Sequence, residues 1–99
     1  MITQETVLEA LTQIIDPEVG INIVDMGLIY GVDIQDKTVD ITMTLTSPGC
    51  PAGGQIVNGT QHVVKHLDDV DEVNVNVVWT PRWTPEMMSD EAKDELGIF

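Results

Sequence analysis

The residues best able to do chemistry sit in one short stretch, Thr46-Ser47-Pro48-Gly49-Cys50-Pro51-Ala52-Gly53-Gly54, which holds the one cysteine of the chain. A thiolate attacks electrophiles and ligates soft metals, and a helix N-terminus lowers its pKa. The stretch follows a strand pattern and precedes a helical one. Cys50 is therefore predicted to be an N-cap, with Pro51 at the first helical position, where its missing N–H costs nothing. The free amides of Ala52, Gly53 and Gly54 then lie beside the sulfur. The dipole supplies about 0.3–1 kcal/mol, less than a full pKa unit, so capping alone does not secure a strongly activated nucleophile. Against this stands the ordinary state of a free cysteine, a small buried hydrophobe.

Other candidates surround it in sequence. Asp16, Glu18 and Asp25 fall in loops ahead of the first long strand pattern. Each alone is a turn former; together they could bring carboxylates near the Cys50 edge. His62 and His66 are four apart, the spacing for two imidazoles on one metal ion. They lack the glutamate of the H-E-x-x-H motif and fall off the apolar stripe, so a solvated face is expected. Trp79 and Trp83, with Arg82 between them, either close over a site or, the preferred reading, anchor an irregular C-terminal segment, with Met87 and Met88 packed beneath it.

Six elements must position these groups. Thr3 caps a first helix with Glu5 in its first turn, Ile2 and Val7 form a hydrophobic staple, and Val7, Leu8, Leu11, Ile14 and Ile15 recur at helical spacing. Asp16-Pro17-Glu18 ends it, because a residue before proline disfavours helical dihedrals. Leu28, Tyr30, Val32 and Ile34 alternate with Ile29, Gly31, Asp33 and Gln35, and Asp36-Lys37 makes a hairpin turn. In the next strand Val39, Ile41, Met43 and Leu45 share one face, and Thr38, Asp40, Thr42, Thr44 and Thr46 the other. A second helix presents Ile56, Thr60, Val63, Val64 and Leu67. A third strand sets Val73, Val75, Val77 and Trp79 opposite Asn74 and Asn76. Ser89 caps a last helix through Leu96, stopped by Gly97.

The order α-β-β-α-β-α, with one apolar face per strand, predicts an α/β (α+β) two-layer sandwich: a three-stranded mixed sheet with helices mainly on one face. The first two strands form an antiparallel hairpin, and a right-handed parallel crossover joins the second and third. The 99 residues suit a single domain, 1–99. Nothing approaches the apolar length of a membrane span, and Met1–Thr6 has no basic segment before an apolar stretch, so neither a span nor a signal peptide is expected. One cysteine gives no internal disulfide, and the cytoplasm is the expected location. Seventeen acidic residues against four scattered basic ones give a net charge of −13, a poor basis for binding nucleic acid. The acidity serves solubility, a basic partner protein or a cation.

Asp16-Pro17-Glu18, Asp25-Met26-Gly27-Leu28-Ile29-Tyr30, Thr44-Leu45-Thr46-Ser47-Pro48-Gly49-Cys50-Pro51 and the Trp-rich tail occur together, in this order, in one known family. From about Thr3 to Phe99 the chain resembles the SufT/PaaD-type iron–sulfur cluster assembly accessory proteins, a former domain-of-unknown-function family. The resemblance implies a compact α/β domain that assists maturation of iron–sulfur proteins. It implies that Cys50 is the reactive or ligating residue and that Asp16, Glu18, Asp25, Thr44 and Thr46 line the site. The chain departs from the PaaD pattern in having no cysteine-rich tail, so a built-in zinc site is not expected, and it carries Arg82 where relatives often have a second proline.

A cluster normally needs four thiolate ligands, and one chain offers one. The expectation is therefore no stably bound cofactor, but transient contact of Cys50 with iron, sulfur or a cluster on its way from assembly proteins to clients. A homodimer through the polar Thr/Asn sheet face is a further expectation. Two other readings remain: a cysteine-dependent enzyme of acyl or sulfur transfer, and an interaction module with a structural cysteine. The enzyme needs a base within hydrogen-bond reach of Cys50. His62 and His66, well along the following helix, are poorly placed for that, so an assembly or transfer factor is preferred to an enzyme.

Overall fold

A computed structural model describes residues 2–17, 19–46 and 53–97. The elements are α1 (Gln4–Leu11), β1 (Ile15–Asp16), β2 (Ile21–Asn22), β3 (Ile29–Gln35), β4 (Thr38–Met43), α2 (Gly53–Lys65), β5 (Glu72–Val77), a 3₁₀ turn (Pro85–Met87) and α3 (Asp90–Leu96). β3, β4 and β5 form a sheet in that order, antiparallel at the β3–β4 hairpin and parallel across the α2 crossover. α1 and α2 pack on each other, α1 against β3 and α2 against β5. The expected sandwich is present, with the small antiparallel β1–β2 ribbon added.

The caps explain the helix starts. Thr3 Oγ1 accepts the Thr6 N–H at 3.2 Å, and Ile2 and Val7 are buried on the apolar side. Ser89 Oγ accepts the Ala92 N–H at 3.2 Å, and Gly97 closes α3 in the left-handed region at φ 73°. Ser89→Ala is expected to cost about 1 kcal/mol of stability, read as a lower urea midpoint at unchanged m-value.

Val39, Ile41, Met43 and Val73 are buried beneath the helices, whereas Asn74 and Asn76 on the reverse face are exposed. Leu11, Ile23, Met26, Leu28, Ile56 and Val64 complete the centre of the core.

Four expectations are corrected. The helical spacing was expected to run through Ile15, but α1 stops at Leu11. The Thr12 hydroxyl bonds back to the Glu9 carbonyl, Pro17 holds Asp16 extended, and Ile15 and Asp16 pair with β2. Ile15 is left 49% exposed. A bulge between Ile29 and Gly31 breaks the alternation of β3, so that Ile29, not Tyr30, opposes Met43. β5 ends at Val77, and Trp79 beyond it is exposed. Only Trp83 anchors the tail: it packs on the core, and its Nε1–H donates to the Met26 carbonyl at 2.6 Å. Met88 is buried as expected, while the half-buried Met87 offers its sulfur to the Tyr30 hydroxyl at 3.4 Å.

Candidate functional site

A relay of backbone hydrogen bonds gathers the candidate segments at the carboxyl end of β4. Ile23 N–H donates to Ile14 O at 2.9 Å, Leu28 N–H to Ile23 O at 3.1 Å, and Thr44 N–H to Leu28 O at 2.8 Å. The β1–β2 ribbon and the Asn22–Gly27 turn are thereby tied beside the point where the chain leaves the sheet for α2. Ligands of sheets with parallel crossovers collect at that edge. Residues 47–52, Cys50 among them, connect Thr46 to the first described turn of α2. The expected N-cap at Cys50 and helix start at Pro51 lie outside the described residues, as does Glu18.

The other predicted residues have distinct surroundings. Asp16 is 1% exposed, so its carboxyl is enclosed in the fold; its backbone carbonyl accepts the Gly20 N–H at 2.8 Å, tightening the ribbon's turn. Asp25 is half-buried and reciprocally bonded to Asn22: its N–H donates to Asn22 Oδ1 at 2.9 Å, and its Oδ2 accepts from Asn22 Nδ2 at 2.8 Å. Its carbonyl takes the Ser89 N–H at 2.8 Å, which ties α3 to this turn. Thr44 was expected on the polar strand face, yet it is fully buried, because the ladder ends at Met43 and the next residue turns in against Leu28. Thr46 is half-buried at the mouth of the connection. Asp16, Asp25 and Thr44 thus shape and hold the edge more than they face solvent.

Sequence reasoning did not single out Asn22 or Gly27, which build the turn. Asn22 three residues ahead of Asp25 has the spacing of a side chain capping a backbone N–H, a signal that was present. Gly27 has φ 78°, and an added Cβ would meet the Met87 backbone.

The carboxylates brought to this edge, Asp16 and Asp25, come from the ribbon and its turn, not from the stretch that joins β4 to α2. Every acidic residue lies outside the segment from Ile41 through Leu67. The first turn of α2 contains no carboxylate, so within that turn nothing offsets the positive end of the helix dipole. Next to it lies a groove of about 220 Å³ lined by Gln13, Ile14, Ile15, Gln55, Ile56 and Gly59. A larger hollow of about 670 Å³ sits at the hairpin end of the sheet beside Asp36, Lys37 and Asp69, remote from β4's carboxyl end.

His62 and His66 are exposed, as expected of a solvated face. Their rings lie 4.2 Å apart, and His66 Nδ1 is 2.8 Å from the His62 carbonyl oxygen. His62 stands nine residues beyond Gly53, about 14 Å along the helix at 1.5 Å per residue. Among the described residues no group of three or more His, Cys, Asp or Glu could hold a metal ion. No described helix is long and apolar enough to cross a membrane.

The described residues form a two-layer α/β domain whose sequence joins β4 to α2 through a cysteine-containing stretch free of Asp and Glu. The family described as iron–sulfur cluster assembly protein matches residues 4–77, and the chain belongs to that family. It is similar to the Fe-S protein maturation auxiliary factor SufT of Staphylococcus aureus, at 46% identity over 86 residues that cover 86% of this chain and 98% of that one. It is also similar to the Fe-S protein maturation auxiliary factor YitW of Bacillus subtilis, at 45% identity over 96% of this chain and 94% of the relative. The crystal structure of a domain of unknown function, DUF59, from Bacillus anthracis superposes with a TM-score of 0.90 at 44% identity, covering 97% of this chain and 92% of that one.

Proposed function

We infer that this protein is an accessory factor in iron–sulfur cluster maturation, and that Cys50 is its working residue. On this reading the cluster is cargo. The Cys50 thiolate supplies one ligand to an exposed iron while the donor or the client supplies the others, because four thiolates are the usual complement. The thiolate is a transient ligand that leaves when the client's cysteines complete the set. The family assignment is the observation that carries the reading.

The charge pattern supports it. A thiolate-ligated cluster is anionic, and the segment around Cys50 is the one long stretch without Asp or Glu in a chain of net charge −13. Acidic surfaces elsewhere are left to meet basic faces of assembly or client proteins. Asp16, Asp25, Thr44 and Thr46 serve as the frame that sets the loop's two ends. The cytoplasm is the working compartment.

Anaerobic reconstitution with iron and sulfide, followed by absorbance and native mass, tests the cargo role. The expected result is a labile iron–sulfur or iron species on the parent protein that Cys50→Ser no longer takes up. Equal uptake by both proteins would remove Cys50 from the role.

A further inference from the structure

The two edges of the sheet are unlike. At the β3 edge, Gln4 Nε2 donates to the Val32 carbonyl at 2.7 Å and a bulge interrupts the strand. β5, at the other edge, pairs with β4 without a bulge, and among the described residues no strand covers its outer side. Glu72 N–H donates to Lys37 O at 3.3 Å and Val78 N–H to Met43 O at 2.8 Å. Bonding alternates along a parallel ladder, so residues 72, 74, 76 and 78 face β4, and the N–H and C=O groups of Val73, Val75 and Val77 face outward. Among the described residues none bonds to those outward groups. From Val73 to Val78 there is also no lysine or proline, the residues that commonly protect an edge strand.

The sequence of this edge reads the same in both directions: Val73-Asn74-Val75-Asn76-Val77. An antiparallel copy centred on Val75 sets Val75 against Val75 and Val73 against Val77, each pair exchanging two N–H···O bonds. Asn74 meets Asn76 of the second copy in the closer, non-hydrogen-bonded pairs. The half-buried Val75 and Val77 extend the apolar side, and the exposed asparagines pair on the reverse side.

We propose that β5 is a homodimerisation edge, through which two copies of this chain join antiparallel about a twofold axis at Val75 into one continuous sheet. Charge decides for this register. Two chains of net charge −13 repel, but the axis places Glu72 opposite Val78 of the second copy. The two Glu72 carboxylates then stand six residues apart, about 20 Å, well beyond the Debye length of about 8 Å at physiological salt. α2, which covers β5 on the helical side, has no acidic residue at all. The antiparallel register sends the carboxyl ends of the two β4 strands to opposite ends of the joined sheet. The dimer therefore presents two separate Cys50 loops, and it stands whether or not Cys50 handles a cluster.

Sedimentation of the full chain over a concentration series tests the proposal. The expected mass rises from 10.9 kDa to twice that value, at lower concentration when salt is added. Amide exchange at Val73, Val75 and Val77 should slow with protein concentration, while Asn74 and Asn76, bonded to β4, stay protected throughout. The double variant Asn74→Lys/Asn76→Lys sets like charges directly opposite and should be monomeric; Asn74→Lys/Asn76→Asp sets opposite charges there and should remain dimeric. Both keep a lysine beside the Asp40 carboxylate, to which Asn74 now bonds at 2.9 Å, so the fold is treated alike. The proposal is overturned by a monomer at every concentration, or by a dimer indifferent to which double variant is made. Protection of the three valine amides that arises only on adding a client protein would also overturn it, assigning the edge to a different occupant.

Discussion

Cells whose only copy of this protein carries Cys50→Ser are expected to lose client iron–sulfur enzyme activity to the level of cells lacking the protein, while the purified variant unfolds at nearly the parent's urea midpoint. Serine keeps the size and hydrogen-bonding capacity of the side chain but cannot act as a soft ligand for iron. Removing a ligand from a site that contributes one thiolate removes the whole contribution, so the functional loss is expected to be complete. If Cys50 serves ligation and not packing, the stability change should be within about 0.5 kcal/mol. The two readouts separate the alternatives. Full client activity would sink the transfer role. A fall in stability of several kcal/mol, with activity lost in proportion to the folded fraction, would make Cys50 a structural cysteine.

The carboxylate-free segment sharpens what this substitution tests. Seventeen acidic residues spread evenly over 99 positions would put several between Ile41 and Leu67, yet there are none. Part of that run is β4's apolar face and part is α2, whose packing on β5 explains Ile56, Thr60 and Val64 but not the absence of Asp and Glu from exposed positions such as Gly54, Gln55, Asn58 and Gln61. An anionic cargo at one end of α2 and a second, equally acidic chain beside β5 both account for it. Stability of the monomer does not.

The helices, the hairpin and the parallel crossover were legible because each rests on a local signal. Thr3 and Ser89 cap through their own side chains, and Val39, Ile41 and Met43 alternate without interruption. The features that escaped notice depend on distant partners. The bulge in β3 follows from Tyr30 reaching out to the Pro81 carbonyl at 2.8 Å and to Met87, fifty residues and more along the chain. Thr44 belongs by alternation to the polar face and is buried because Leu28 claims its N–H. Ile14 and Ile15 continue the helical spacing of α1 almost perfectly, and the spacing lost to Pro17 and the pairing with Ile21 and Asn22. At the site the nature of the residues could be read, but not their exposure. Asp16, read as a loop carboxylate near the thiol, is enclosed and serves the frame.

That frame depends on Gly27 more than on any acidic residue, and Gly27→Ala is expected to destabilise the protein by about 3 kcal/mol or more. Two costs add. Gly27 holds φ 78°, a left-handed conformation that costs a residue with a Cβ about 1–2 kcal/mol. The Cβ itself would lie 2.7 Å from the Met87 carbonyl carbon and 2.9 Å from the Met87 Cβ, and closer still to the carbonyl oxygen. Backbone cannot swing aside as a flexible side chain can, so the 3₁₀ turn at Pro85–Met87 must back away. Met88 is buried in the core directly after it, and the Ser89 N–H to Asp25 bond follows. Gly20 supplies the control, because it has nearly the same φ, 75°, with nothing within 4 Å of an added Cβ. Gly20→Ala should therefore show the conformational cost alone. Urea unfolding of the two variants at equal m-value isolates the clash as their difference, expected at about 2 kcal/mol. Midpoints that agree to within about 0.5 kcal/mol would mean that the C-terminal segment does not press on Gly27 in solution.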